Sequence, residues 1–318
     1  MQTVHLQFPL QNHEVIAPGQ IVAIGEFDGA HLGHQEVIKR AVQRSSELRL
    51  PSAIMTFHPH PRQVLGLDKY AQVLTPLAAK QEMLERLGVD TMYIVNFNES
   101  FMRVTPEQFV EQMLIPLQVN TVFVGFDFKF GHKGAGTPDT LCELAKGRFV
   151  VEIVRPFHLN SHKVSSTLIR ERLQSGDVAG AEALLGRPYS IRGSVVHGEA
   201  RGRTIGFPTA NIGVAEPFVI PANGVYAVEA TVRGQKYDGV MNIGLKPTFG
   251  TDLLQPTLEA HLFDFSETIY GEPIEVALLA YIRPERKFAS IQELIAQISK
   301  DADQAKSVLA ERKTMQSS

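Results

Sequence analysis

The segment Ile21-Val-Ala-Ile-Gly25-Glu-Phe-Asp28-Gly29-Ala-His31-Leu-Gly33-His34-Gln35-Glu-Val-Ile38 decides how the rest of the chain is read. The apolar or small residues before Gly25 predict a buried strand. Val37, Ile38, Ala41, Val42 and Leu48 predict the apolar side of a helix that follows. Between strand and helix lies a short, glycine-punctuated turn, with His31, Gly33 and His34 where the helix begins. Backbone N–H groups at a helix start are unpaired and carry partial positive charge, so an anion is favoured there. Imidazoles add hydrogen bonds to phosphate oxygens, and Gly33 lets a large ligand approach the backbone. The unit reads as a nucleotide triphosphate site. By itself a pair of histidines at this spacing also suits a metal or plain polar caps, although no third ligand for zinc is evident.

Working outward, Pro51–Phe57, Thr91–Val95, Val119–Val124 and Phe149–Val154 are further apolar runs. Helical stretches separate them. Thr75–Leu87 predicts a helix capped by Thr75 with Pro76 in its first position, and Thr105-Pro106 repeats that start signal. Strands alternating with helices imply right-handed crossovers and a mostly parallel sheet with helices on both faces. Ligands in such sheets sit beyond the carboxyl ends of the strands. The polar pieces fall there: Gly25–His34, His58-Pro-His-Pro61, Asn96–Asn98 and Gly125-Phe-Asp127-Phe-Lys129-Phe-Gly131. No Gly-x-Gly-x-x-Gly follows the first strand, and Gly131–Thr137 has P-loop spacing with threonine in the lysine position; both familiar phosphate loops are disfavoured.

The chain has 318 residues, enough for two domains, with 44% apolar and 20% charged residues and a net charge of −3. No basic half or basic run is present, which argues against nucleic acid or an acidic membrane as the main partner. Cys142 is the single cysteine, so an intrachain disulfide and a thiolate zinc cluster are excluded. The N-terminus lacks a signal pattern and no apolar run approaches membrane-spanning length, so a cytoplasmic protein is expected. Oligomeric state is not readable.

From Tyr189 the texture changes. Tyr189–Val196, Val225–Val232, Tyr237–Ile243, Thr257–Phe265 and Ile274–Ile282 are strands in series, which predicts an antiparallel barrel or sandwich. A last helix is expected over Ser290–Ala310, started by Ser290 with Glu293 as a capping box, and Thr314–Ser318 is expected to fray. The loop containing Gly198, Arg201, Gly202, Arg203 and Gly206 suits a polyphosphate. Thr209 and Asn211 share a face of an extended segment, and a hydroxyl beside an amide oxygen suits Mg²⁺ that also holds phosphate. Glu259 and His261 share another face, with Glu259 the better candidate for a general base.

His31-x-Gly-His34 early and Lys163-Val-Ser165-Ser166-Thr167-Leu-Ile-Arg170 late resemble the nucleotidylyltransferase superfamily, relatives of class I aminoacyl-tRNA synthetases. From about Val22 to Phe288 the chain resembles the bacterial bifunctional riboflavin kinase/FMN adenylyltransferase (FAD synthetase) family. The motifs that carry this are Gly25–His34, Phe57–Pro61, Gly125–Gly131, Ser165–Arg170, Gly202–Asn211, Asn242–Thr248, Leu262–Phe265 and Ile282–Phe288. The resemblance implies a Rossmann-like nucleotidylyltransferase domain over residues 1–186 and a β-barrel kinase domain over 187–318 with a C-terminal helix. It implies ATP as co-substrate at two sites, Mg²⁺, and riboflavin, FMN and FAD as ligands. Glu259 would take the proton of the riboflavin 5′-hydroxyl, with Thr209 and Asn211 on metal and phosphates. His31 and His34 would stabilise charge during adenylylation, with Arg170, Ser165 and Ser166 on the ATP phosphates and Asp127 orienting FMN or a metal. Gly25, Phe27, Asp28, Gly33, His58 and Thr167 would complete that site. Gly198, Gly202, Arg203, Asn242, Arg283 and Phe288 would complete the other. The rival reading is a monofunctional FMN adenylyltransferase with a flavin-sensing, non-catalytic C-terminal module.

Overall fold

The strand expected before Gly25 forms over Gln20–Ile24 and is buried along its whole length. A computed structural model describes residues 1–10, 19–67, 70–198, 202, 205–247 and 254–316, and the chain divides into the units Met1–Ser166 and Thr167–Ser318. In the first unit β1 (Gln2–Leu6), β2 (Gln20–Ile24), α1 (Leu32–Leu48) and β3 (Ser52–His58) are followed by α2 (Pro61–Val64), α3 (Leu77–Arg86) and β4 (Thr91–Asn96). Then come α4 (Pro106–Phe109), continued by a π-turn over Val110–Leu114, β5 (Val119–Gly125), α5 (Pro138–Ala145), β6 (Val150–Val154) and a small hairpin of β7 (His158–Leu159) and β8 (His162–Lys163).

β1 to β6 make one sheet in the order β1-β4-β3-β2-β5-β6, with every ladder parallel. Alternation along β2 explains why both faces are covered. Ile21 and Ala23 join Val37, Ile38 and Ala41 of α1 and Leu84 of α3 in one core. Val22 and Ile24 join Phe109, Val110, Met113 and Leu141 in another. Full burial of each large apolar side chain contributes roughly 1.5–3 kcal/mol. From β2 the chain moves outward through β3 and β4 on one side, and β5 and β6 lie on the other. The loops after β2 and β5 therefore diverge, which opens a crevice at their carboxyl ends.

Two local expectations are corrected. Thr75 does not cap α3: Pro76 is the N-cap and makes no side-chain cap bond. The Asp28 carboxylate instead accepts the N–H groups of Leu74 and Thr75 at 2.8 and 3.1 Å, which fixes the entry to α3 from outside. The edge strand β1 has no counterpart in the apolar runs read from the sequence; its ladder to Thr91–Val95 forms it. Thr105 does cap α4 in a full capping box with Gln108.

The second unit holds α6 (beginning at Ser166 and ending at Gln174), α7 (Val178–Leu185), β9 (Tyr189–Val196), β10 (Ala210–Gly213), β11 (Gly224–Val232), β12 (Gln235–Pro247), β13 (Leu254–Leu262), β14 (Pro273–Arg283) and α8 (Ile291–Gln316). β9 to β14 close into a barrel ordered β10-β13-β12-β11-β14-β9, all antiparallel. Closure leaves no strand edge unpaired. Tyr226, Met241, Ala260 and Leu278 are completely buried. Their neighbours Val225, Ala227 and Val240 point the other way and pack with Ala302, Ala305 and Leu309 of α8. Small residues on α8 let the helix lie close to the barrel wall.

α7 buries Val178, Ala181, Leu184 and Leu185 and packs on β9 and β14. By contacts the chain divides into its two units after Ser166. α8 continues through Thr314 to Gln316 where fraying was expected, with Arg312 paired to Glu182 of α7 and Lys313 to Asp238 at 2.7 Å. Ser317 and Ser318 lie outside the described residues.

Candidate active sites

In the first unit His31 is the N-cap of α1, and its Nδ1 accepts the His34 N–H at 3.2 Å. An imidazole that accepts at Nδ1 carries its proton on Nε2, so the hydrogen bond assigns a neutral donor tautomer. The two rings stack with centroids 3.6 Å apart, and Phe27 meets His34 edge-on at 5.4 Å. The turn before them is tight: Phe27, Gly29 and Ala30 all have positive φ, at 48°, 85° and 37°. Burial pushes the His31 pKa down to about 4 and holds His34 well below its ordinary value. Two stacked, buried rings so placed are neutral donors near pH 7, not a pair of cations. A Cβ at Gly33 would press the His31 ring at 3.3 Å, and one at Gly25 the Phe27 ring at 3.2 Å, so a side chain at either position would push on these rings.

Distant segments meet at this turn. The Ser166 hydroxyl donates to the Asp28 carbonyl at 2.8 Å across 138 residues of chain. Lys163 pairs with Asp127, in the loop after β5, at 2.5 Å and lies over the Phe126 ring. Asp28, Asp127 and Lys163 all bear electrostatically on His31. The loops after β2 and β5 and the Lys163–Ser166 segment thus converge at the switch point of the sheet. His58 ends β3, with its pKa lowered by partial burial and then by Lys80. Ser165 is half-buried. Thr167 is exposed and Arg170 is buried on α6, both in the second unit.

In the barrel, Asn211 of β10 stands opposite Glu259 of β13, and Glu259 stands opposite Asn242 of β12. Directly opposed residues project from the same side of a sheet. Asn242 is in turn opposite Val225, which packs against α8, so this polar row lies on the outer wall of the barrel. Glu259 accepts from Lys246 at 2.8 Å. Thr209 lies two residues before Asn211, and Gly202 and Gly198 approach them. A Cβ at Gly198 would collide with the Asn211 amide, and one at Gly202 with the Phe207 carbonyl, 3.4 Å from Thr209 Oγ1. Backbone thus approaches the hydroxyl and the amide to the limit that glycine allows, a cradle with oxygen donors that suits Mg²⁺. The Pro208 carbonyl meets His261 Nδ1 at 2.7 Å, which fixes the approach to β10.

Arg283 and Phe288 sit elsewhere on the same wall. Arg283 donates to both oxygens of Asp301 on α8, with contacts of 2.7 to 3.0 Å, and to the Pro284 carbonyl; its guanidinium lies 5.7 Å from the Phe288 ring centre. Arg201, Arg203 and Thr248 lie outside the described residues. Three charged residues escaped the sequence reading as contributors: Lys80, Lys246 and Asp301. Lys80 left a signal, being a charge in the apolar stripe Leu77, Lys80, Leu84 of α3. Lys246 left none, since its partner comes from the neighbouring strand.

The two units carry the parts of two phosphorus-transferring enzymes in one chain. A family model for FAD synthetase matches residues 13–168 and one for riboflavin kinase matches residues 185–309. A bifunctional riboflavin kinase/FMN adenylyltransferase of Bacillus subtilis is 46% identical over 310 residues, covering 96% of this chain and 97% of that protein. One of Haemophilus influenzae is 42% identical over 301 residues, covering 93% and 96%. The chain belongs to the family of bifunctional riboflavin kinase/FMN adenylyltransferases. A solved structure from Streptococcus pneumoniae, described as a macrolide-efflux protein, superposes with a TM-score of 0.86 at 34% identity over 95% of this chain and 97% of that one. Among the described residues here no helix is long and apolar enough to cross a membrane.

Proposed function

We propose that this chain phosphorylates riboflavin to FMN on the barrel, within residues 187–318, and adenylylates FMN to FAD at the sheet, within residues 1–186. ATP is consumed in both steps. The observation that carries the reading is the Asn211–Glu259–Asn242 row beside Thr209, because a flavin sensor has no use for a carboxylate aligned with a phosphate cradle.

In the first step the riboflavin 5′-oxygen attacks the γ-phosphorus of ATP, Glu259 takes the hydroxyl proton, and ADP leaves. Lys246 holds the Glu259 carboxylate in place at 2.8 Å. Thr209 and Asn211 would hold Mg²⁺, which neutralises phosphate oxygens when bound. Gly198 and Gly202 leave room beside Asn211 and Thr209 that a side chain would fill. Arg283, engaged by Asp301, anchors α8 and supports Phe288 at the flavin side instead of binding phosphate.

In the second step an FMN phosphate oxygen attacks the α-phosphorus of a second ATP, and pyrophosphate leaves. No proton need move, so neutral N–H donors suffice: His31 Nε2–H and the start of α1 face the charge that develops. Asp28 and Ser166 fix the turn, and Asp127 with Lys163 fixes the opposite loop. A cytoplasmic setting supplies the ATP. Chromatography of flavins formed from riboflavin, ATP and Mg²⁺ tests the reading. FMN followed by FAD is expected; FAD from supplied FMN with no FMN from riboflavin supports the sensor alternative.

A further inference from the structure

The strand that carries Asn211 is tied to the strand that carries Glu259 by a very short ladder. β10 and β13 pair through Ala210 with Ala260 and Asn211 with Glu259, and there the pairing stops. One more step of that register would set Thr209 against His261. The residue before Thr209 is Pro208, which has no N–H to extend the ladder. His261 bridges this gap with its side chain. It stands two residues from Glu259 on β13, so both project from the same face of the strand. Its Nδ1 lies 2.7 Å from the Pro208 carbonyl. A carbonyl can only accept, so the ring carries a proton on Nδ1, the nitrogen that accepts in His31. The ring meets Phe207 edge-on at 5.4 Å and Phe263 at 5.8 Å. Phe263 is buried against α8, which gives the imidazole a firm footing. Phe207 is held from the other side, its N–H donating to the Gly202 carbonyl at 2.9 Å.

We propose that His261 is a positioning residue of the phosphorylation site: by donating from Nδ1 to the Pro208 carbonyl it sets Thr209 and Asn211 against Glu259, and so shapes the place of a divalent cation with its nucleotide. This rests on the proposed phosphorylation on the barrel. Thr209 is the residue after the held carbonyl, and Asn211 stands opposite the carboxylate. One hydrogen bond thus places the two oxygen donors and the base in a common frame, where small misplacements are costly to transfer. The Nδ1 proton of His261 is engaged on the backbone, which leaves the substrate proton to Glu259.

The test compares His261→Asn, His261→Gln and His261→Leu in the full chain. An Asn amide N–H can stand where Nδ1 stands, Gln reaches toward the Nε2 position, and Leu keeps apolar contact with no donor. Riboflavin phosphorylation is followed over a range of Mg²⁺ and ATP concentrations. FAD formation from supplied FMN and thermal melting serve as controls for folding. Gln and Leu are expected to raise half-saturating Mg²⁺ about 10–100-fold, with Asn recovering most of the loss and the KM for riboflavin level throughout. A second readout needs no turnover. Nitrogen NMR of labelled imidazoles, with His261→Leu assigning the signal, is expected to show the His261 proton on Nδ1. Where Leu does not melt cooperatively, the contrast between Asn and Gln decides. A proton on Nε2 alone, an unchanged Mg²⁺ dependence in Gln and Leu, or an Asn variant as impaired as Gln overturns the inference. An unaltered chain that forms no FMN from riboflavin fails the kinase reading instead.

Discussion

The two candidate phosphate sites of this chain use opposite materials. In the first unit the site is made by loops at the ends of parallel strands, and its imidazoles are buried, stacked and neutral. In the second it lies on the outer wall of a closed barrel, where residues from three adjacent strands form a row whose carboxylate stays partly exposed beside a lysine. The contrast follows the proposed chemistry. Joining two phosphates requires donors and no base, and the sheet site offers uncharged imidazole N–H groups. Phosphorylating an alcohol requires a base, and the barrel row presents a carboxylate within reach of solvent.

The sharpest break of that contrast is Glu259→Gln. FMN formation is expected to fall by about 10²–10⁴-fold, while FAD formation from supplied FMN is unchanged. Equal loss of both in a folded protein refutes the division of labour. The converse change, His31→Ala with His34→Ala, is expected to cost FAD formation on the order of 10²-fold or more and to spare the kinase.

A third measurement concerns stability. Asp301 is almost fully buried and holds Arg283, so Asp301→Ala strands a guanidinium at the α8 contact. A loss of about 3 kcal/mol is expected. Thermal inactivation of the kinase should then precede that of the adenylyltransferase; parallel inactivation would mean that α8 is not specific to the barrel. The smallest effect near neutrality is on pH dependence. Because the folded pKa of His31 lies near 4, below its ordinary 6.5, the unfolded chain binds a proton first as pH falls. The stability that the neutral ring contributes is complete above pH 6.5 and is lost between there and about pH 4. His31→Gln should shallow that acid slope in urea titrations of the first unit, and an unaltered slope assigns it to other groups.

Much of this was legible along the chain. The strand before Gly25, the alternation of strands and helices, the change of texture at Tyr189 and the Thr105 cap all follow from local pattern, which depends on neighbours in sequence. The turn Gly25–His34 was legible as a strand-to-helix turn with histidines at the helix start, and His31 is indeed the N-cap of α1. β1 was missed because a parallel edge strand is created by its partner. Thr75 misled because a cap signal is local, whereas the Asp28 carboxylate that takes the Leu74 and Thr75 N–H groups comes from a loop 46 residues earlier. The pairing of Arg283 with Asp301 was not legible, because that helix lies outside the motif.

The amino-acid sequence by itself determined the class of each half, the order of its elements and the family, because periodicity and motif spacing are properties of the chain alone. Only the tertiary structure decided which protons and charges each site holds. The neutral state of His31 and His34, the Lys246–Glu259 pair and the His261–Pro208 hydrogen bond depend on burial and on distances between segments remote in sequence. Electrostatic energy is set by those distances and by the exclusion of water, neither of which is written in spacing along the chain.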